Sequence, residues 1–285
     1  MIHTWKISKT KMNEIHFTDE SSLDAITRQL PDGYYSTFRT YDVCTRVIGL
    51  FAHLRRLPNV DASVLRRSLL QLLEPFRPGE TRVRVMLTFD GQIYISIEPL
   101  KLLPREVYEK GVRVETTTIQ CAAPRLKSTT FISESDDERK HLAQEGIFEA
   151  LLVKNGKILE GMTSNFFYIL NPALENAGYA NENMRSRRSL TPSVLYTARN
   201  DILLGVTRTM VIRAARGRGV EVRYSPLKLN QLPAVKEAFI TSSSRGVVPV
   251  IQIDGVMIGQ GSPGKITMML MRAYEEYVLK HAEKI

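Results

Sequence analysis

Two hydrophobic rhythms divide the first third of the chain. From Gly33 to Tyr41 the run is dense in tyrosine, threonine and phenylalanine, which predicts a strand. From Val47 to Leu57 the apolar positions Leu50, Phe51, Leu54 and Leu57 fall at helical spacing. Asp61 is a good N-cap, and after it Val64, Leu65, Leu69, Leu72 and Leu73 mark the inward stripe of a second helix. The period then drops to two. Val83, Val85 and Leu87 face one way, and Ile93, Ile95 and Ile97 match them across Asp90-Gly91, a hairpin turn. Residues 1–20 show neither rhythm and read as a polar lead-in.

Small residues and Pro124 make 119–126 a connector. Ser133 to Gly146 reads as a polar helix with Glu134, Asp136 and Asp137 in its first turns, where the helix dipole favours acids. Two apolar runs meet at Asn155-Gly156, a strong two-residue hairpin signal, and the second ends at Glu160-Gly161. The polar loop Thr163-Ser164-Asn165 leads into a third strand, Phe166 to Leu170. Residues 171–189 form a long polar loop carrying Arg185, Arg187 and Arg188. A helix follows from Gly205 to Arg216, with Met210, Val211, Ala214 and Ala215 inward. Strands over Val220 to Tyr224 and Ala238 to Thr241 come next, then an amphipathic helix from Pro263 to about Ala282. The pattern is α/β (α+β) in two domains: residues 1–118, a connector at 119–126, and a larger domain at 127–285.

With 285 residues, 43% of them hydrophobic, the chain can bury a sizeable core. Its net charge of +9 raises the question of anionic partners. The basic residues are spread along the chain, with short clusters only at Arg66-Arg67 and 185–188, so a solvated surface is expected rather than a nucleic-acid groove. Cys44 and Cys121 show neither metal spacing nor a disulfide framework, which fits a reducing cytoplasm; no metal is expected. The first residues lack an apolar signal core and no apolar run reaches membrane-spanning length, so no membrane partner is expected.

Lys127 and Glu160 sit at the ends of ordered elements. A lysine whose environment lowers its pKa is a nucleophile toward carbonyl groups. The chemistry becomes specific through a series of short motifs in order: Gly33 to Tyr41, His53-Leu54-Arg55-Arg56-Leu57, Lys127, Glu160-Gly161-Met162-Thr163-Ser164-Asn165, Leu190-Thr191-Pro192, Gly205-Val206-Thr207-Arg208, and Glu237-Ala238-Phe239-Ile240-Thr241 with Pro249-Val250. In these the chain resembles the class IV aminotransferases, the fold type IV pyridoxal-phosphate enzymes, among them branched-chain and D-amino-acid aminotransferases and aminodeoxychorismate lyase.

The resemblance implies a two-domain, D-amino-acid-aminotransferase-like fold, pyridoxal 5'-phosphate as cofactor, a homodimer, and an amino donor and a 2-oxo acid as substrates. Lys127 would hold the cofactor as a Schiff base and shuttle the substrate proton. Glu160 would pair with the pyridine nitrogen. Arg56, Val206 and Thr207 at a helix start, and Ser243 and Ser244 in a hydroxyl-rich loop, would bind the phosphate. Tyr35, Arg39, Arg84 and Arg245 would contact substrate. Ile132 departs from the pattern, because branched-chain enzymes place a tyrosine there. Transamination is therefore expected. A lyase of the aminodeoxychorismate type is the rival with the same cofactor, and a non-catalytic basic binding protein is the rival from another class. Retention of Lys127, Glu160, Arg56 and Thr207 together speaks against the latter.

Overall fold

The computed structural model describes residues 1–8, 11–121, 125–171 and 193–285. It divides into two compact units, neither continuous in sequence. The first comprises residues 1–102, 121–137 and 278–285; the second comprises 103–120 and 138–277.

The first unit is built on a seven-stranded sheet. Its hairpin is the expected one: Thr81–Thr88 pairs with Ile93–Pro99 so that Val83, Val85 and Leu87 oppose Ile97, Ile95 and Ile93. The strand Gly33–Tyr41 lies on the other side of Thr81–Thr88, with Tyr35 opposite Met86, Thr37 opposite Arg84 and Arg39 opposite Arg82. Alternation gives this sheet two unlike faces. Phe38, Val83, Val85, Ile95 and Ile97 pack on the helices Leu50–Leu54 and Ala62–Leu73, through Leu54, Leu65 and Leu69 among others. Asp61 caps the second helix through the Ser63 N–H at 2.8 Å. The opposite face is polar and cation-rich, carrying Thr37, Arg39, Arg82, Arg84 and Ser96 around a small cluster of Tyr35, Met86, Tyr94 and Ile132.

Three expectations are corrected here. The lead-in contains two strands, His3–Ile7 and Met12–Ile15, which extend the sheet beyond Ile93–Pro99. Tertiary pairing on an existing sheet edge overrode a weak local pattern. The expected single helix over 133–146 is two, Thr130–Glu134 and Asp136–Gln144, separated where the Ser135 hydroxyl bonds the Phe131 carbonyl at 2.6 Å. The single cut at 119–126 is replaced by interleaved segments. Residues 121–137 belong to the first unit because the chain around Lys127 pairs with its sheet: Tyr35 N–H donates to the Lys127 carbonyl and Thr129 N–H to the Gly33 carbonyl, each at 2.9 Å, and Ile132 joins its apolar cluster. The last residues return to it as well, where Glu283–Lys284 pairs with Arg46–Val47.

The second unit is built on a ten-stranded sheet. Six of its strands close on themselves in the order Asn165–Leu170, Val235–Ser242, Gly246–Ile253, Val112–Thr117, Glu149–Lys154 and Lys157–Gly161, and the pair Asn165 with Glu160 completes the ring. The cluster containing Val114, Leu151, Ile158, Phe166, Ile240 and Val248 is its core. The turn at Asn155-Gly156 has positive φ at both residues, +52° and +68°, as a type I′ hairpin requires. The helix Val206–Gly217 and the helix Lys265–His281 follow the expected bounds closely. Leu190-Thr191-Pro192 and the arginines at 185, 187 and 188 lie outside the described residues. No helix among the described residues is long and apolar enough to cross a membrane.

Candidate active site

The two units carry the expected site residues in two sets: Tyr35, Arg39, Arg56, Arg84 and Lys127 in the first, and Glu160, Val206, Thr207, Ser243, Ser244 and Arg245 in the second.

In the first set the Lys127 amine lies 4.9 Å from the centroid of the Tyr35 ring. The Arg84 guanidinium lies 4.6 Å from the same centroid. Protein surrounds the amine although the residue as a whole keeps some surface in solvent, so lost hydration leads the effect on its pKa. The cations Arg84 and Arg56 add to it, Asp24 opposes it, and the pKa falls to about 7. Arg84 is held from several sides. Its Nε donates to Thr37 Oγ1 at 3.1 Å and its Nη1 to the Leu23 carbonyl at 2.9 Å and Thr27 Oγ1 at 2.7 Å, while Nη2 pairs with Asp24 at 2.7 Å. All its nitrogens are engaged within the unit, which makes Arg84 a fixed charge beside the amine. The nearby His53 bonds Ser36 at 2.9 Å through Nδ1, and burial, with Arg56 and Lys127 adding to it, holds its pKa well below the ordinary range. It therefore adds no positive charge to the group.

Arg39 differs from Arg84. Among the described residues its Nε reaches only the neighbouring Thr40 carbonyl, at 3.5 Å, and its guanidinium lies 4.6 Å from the centroid of the Tyr41 ring. No carboxylate pairs with it among the described residues, whereas its cross-strand neighbour Arg82 pairs with Glu98 at 3.0 Å.

In the second set a register shift decides the position of Glu160. Val153 pairs with Ile158, but Leu152 pairs with Glu160, leaving Leu159 as an extra residue. Ile158 is in the core; without the bulge Glu160, two residues on, would face the same way. With it, Glu160 lies in a cross-strand row with Asn165 and Thr241 on the opposite face. There the Leu203 N–H donates to both carboxylate oxygens at 3.0 Å and the Asn165 amide donates to Oε2 at 2.9 Å. Asn165 also donates to the Leu203 carbonyl at 2.7 Å. Gly205 must be glycine for a steric reason: a Cβ there would overlap the Asn165 side-chain oxygen. Asn165 and the Leu203 backbone are thus positioning groups that sequence reading did not single out. The Thr163-Ser164-Asn165 motif contains the first; nothing local marks the second.

Gly205 opens the helix Val206–Gly217 without a side-chain cap. Its first N–H groups and the dipole's positive end suit an anion. Thr207 Oγ1 beside them is buried and has no hydrogen-bond partner among the described residues. Ser243 and Ser244 occupy the turn between the strands Val235–Ser242 and Gly246–Ile253.

Arg245 is tied back into the unit. Its Nη2 pairs with Glu149 at 2.8 Å and donates to Thr163 Oγ1 at 2.6 Å, and its Nε donates to Ser242 Oγ at 3.0 Å. Glu149 also accepts from the Thr163 N–H at 2.6 Å and the Ser164 hydroxyl at 3.0 Å. This ion pair fastens the serine turn to the loop that follows Glu160. Glu149 was not foreseen, since a strand-end acid gives no sign of a partner 96 residues away. Arg245→Met should cost about 3 kcal/mol, because it strands a nearly fully buried carboxylate. Urea unfolding measures this, and Glu149→Leu combined with Arg245→Met should cost less than the two single changes added together.

The class IV amino-transferase family model matches residues 49–253. D-alanine aminotransferase of Bacillus licheniformis is 26% identical over 284 residues, covering 90% of this chain and 91% of the relative. Branched-chain-amino-acid aminotransferase of Salmonella typhimurium is 28% identical over 201 residues, covering 69% and 57%. The PLP-bound form of a hypothetical aminotransferase from Mycobacterium tuberculosis superposes with a TM-score of 0.72 at 17% identity, over 98% of this chain and 99% of that one, a likeness of fold. The chain belongs to the class IV aminotransferases, a family of pyridoxal-phosphate-dependent enzymes. The residues present fit that cofactor: a lysine amine whose surroundings lower its pKa to about 7, a carboxylate with both oxygens fixed in place, and a buried hydroxyl at an open helix N-terminus with no partner among the described residues.

Proposed function

We propose that this aminotransferase moves an amino group between a carboxylate-bearing amino donor and a 2-oxo acid, with Lys127 as the catalytic base and acid and Glu160 as the partner of the cofactor's pyridine nitrogen. When bound, pyridoxal phosphate supplies an electron sink for the charge that develops at the substrate Cα. Lys127 would hold the cofactor through its amine and, when its amine is free, would carry the proton away from the substrate Cα. An amine with a pKa of about 7 can take and return that proton at neutral pH. Glu160 keeps the pyridine nitrogen protonated by opposite charge. Arg56, the N–H groups of Val206 and Thr207, the Thr207 hydroxyl, Ser243 and Ser244 would hold the phosphate. Tyr35 positions the Lys127 amine. The observation that carries the reading is the low pKa of Lys127 combined with its fixed place beside Tyr35 and Arg84.

Of Arg39, Arg84 and Arg245, Arg39 alone is without a carboxylate partner among the described residues, and we assign it the substrate carboxylate; Arg84 and Arg245 serve the site through Lys127 and the serine turn. A homodimer is the expected assembly, a closed twofold pair being the commonest oligomer. The test is a donor screen with pyruvate and 2-oxoglutarate, using both enantiomers of each amino acid and simple amines lacking a carboxylate. Transfer from an amino acid is expected. Arg39→Met should raise KM for carboxylate-bearing donors by roughly 10- to 100-fold, the worth of one charge-assisted hydrogen bond, and leave simple amines unaffected. Equal losses on both kinds of donor would remove Arg39 from the carboxylate role. Absence of transfer from every donor would defeat the reading as a whole.

A further inference from the structure

Thr241 stands in the same cross-strand row as Glu160 and Asn165: it pairs with Asn165, which pairs with Glu160. Directly paired residues of neighbouring antiparallel strands share a face. Glu160 and Asn165 have identified partners there. Thr241 does not. It is 2% exposed, and its Oγ1 is buried without a hydrogen-bond partner among the described residues, a condition it shares with Thr207 Oγ1, which is 1% exposed. A buried hydroxyl left unpaired is unfavourable and uncommon, so two of them in one unit call for a ligand. Thr241 lies two strand spacings, about 9 to 10 Å, from the strand of Glu160. It also stands at the root of the hydroxyl-rich turn Ser243–Ser244. With the roles proposed above, Thr241 falls beside the phosphate residues Ser243 and Ser244 and two strands away from Glu160.

We propose that Thr241 is a further cofactor-binding residue, whose side-chain hydroxyl donates a hydrogen bond to the phosphate group of bound pyridoxal phosphate. The inference rests on the cofactor site assigned above. In the apo protein the hydroxyl is a stored defect, and cofactor binding repairs it. Threonine serves here because valine has its shape without the hydroxyl, so the polar atom, and not the packing, is what the position contributes.

The test compares wild type, Thr241→Val and Thr241→Ser as apo proteins. Two quantities are read: the apo melting temperature, and the dissociation constants for pyridoxal phosphate and for pyridoxal, which lacks the phosphate. Thr241→Val should leave apo melting unchanged or raised, since it removes an unpaired buried group. It should raise Kd for pyridoxal phosphate by roughly tenfold and leave Kd for pyridoxal unchanged. Thr241→Ser should keep wild-type affinity for both. A lower apo melting temperature for Thr241→Val would show that the hydroxyl already has a protein partner and would overturn the proposal. Unchanged Kd for pyridoxal phosphate, or equal losses for both ligands, would overturn it too. If the wild-type protein bound neither ligand, the underlying cofactor assignment would fail, which is a separate outcome from any of these.

Discussion

Lys127→Ala should abolish turnover and leave no cofactor that borohydride can fix to the protein. In the wild type, peptide mapping after reduction should find the adduct on Lys127. The loss should be on the order of 10⁴-fold or more, roughly 5 kcal/mol, because the change removes both the point of attachment and the group that moves the Cα proton. The environment of the amine gives this prediction a pH signature. Burial, then Arg84 and Arg56, bring its pKa to about 7. The unprotonated amine is therefore half populated near neutrality, and the rate at which apo protein captures added cofactor should climb about tenfold per pH unit up to roughly pH 7 and then level off. An ordinary lysine would keep climbing to about pH 10.4. The sign for folding follows by linkage. Between about pH 7 and pH 10 the unfolded lysine still holds its proton and the folded one has lost it, so the unfolded state binds more protons and apo stability rises with pH across that window. Lys127→Met should flatten that rise. Capture that keeps accelerating past pH 9, or an adduct on another lysine, would remove Lys127 from its role.

Glu160→Gln should slow the first half-reaction by about two to four orders of magnitude, roughly 3 to 5 kcal/mol, while cofactor still binds. Glutamine keeps the size and an acceptor oxygen but loses the charge that holds a pyridine nitrogen protonated. The phosphate residues Arg56, Thr207 and Ser243 are untouched. The environment sharpens the expectation. The Leu203 N–H and the Asn165 amide both donate toward this side chain, so the glutamine NH₂ group would meet donors at positions built for acceptors. A modest fall in stability should therefore accompany the kinetic loss. Single-turnover mixing with a good donor, followed by absorbance, measures the step. A wild-type rate in Glu160→Gln would show that another group serves the ring nitrogen.

Much of the architecture was legible because its causes are local. Alternation over Val83 to Leu87 and Ile93 to Ile97 determined a hairpin and its inward face, and the pairing of Val85 with Ile95 follows from it. Asn155-Gly156 determined a two-residue turn because two positive φ values are needed and these residues tolerate them. Asp61 determined a helix start through one side-chain oxygen. The spaced motifs marked Lys127 and Glu160 as the chemical pair, and the family match is consistent with the resemblance that marked them.

What only the tertiary structure decided depends on partners far away in the chain. The strands within residues 1–20 form because an edge at Ile93–Pro99 is there to receive them. The segment with Lys127 joins the first unit through hydrogen bonds to Gly33 and Tyr35, some 90 residues earlier, which no window of sequence reveals. The bulge at Leu159 is a single residue with no sequence signature, yet it turns Glu160 from the core to the opposite face. Arg84, Arg245 and Arg39 look alike as residues in a sequence. Asp24 claims the first and Glu149 the second, while the third is left without an acid among the described residues. Charge alone cannot say whether an arginine is committed or available. That is set by which carboxylates the fold brings within a few ångströms, since the strength of an ion pair falls steeply with distance and solvent exposure.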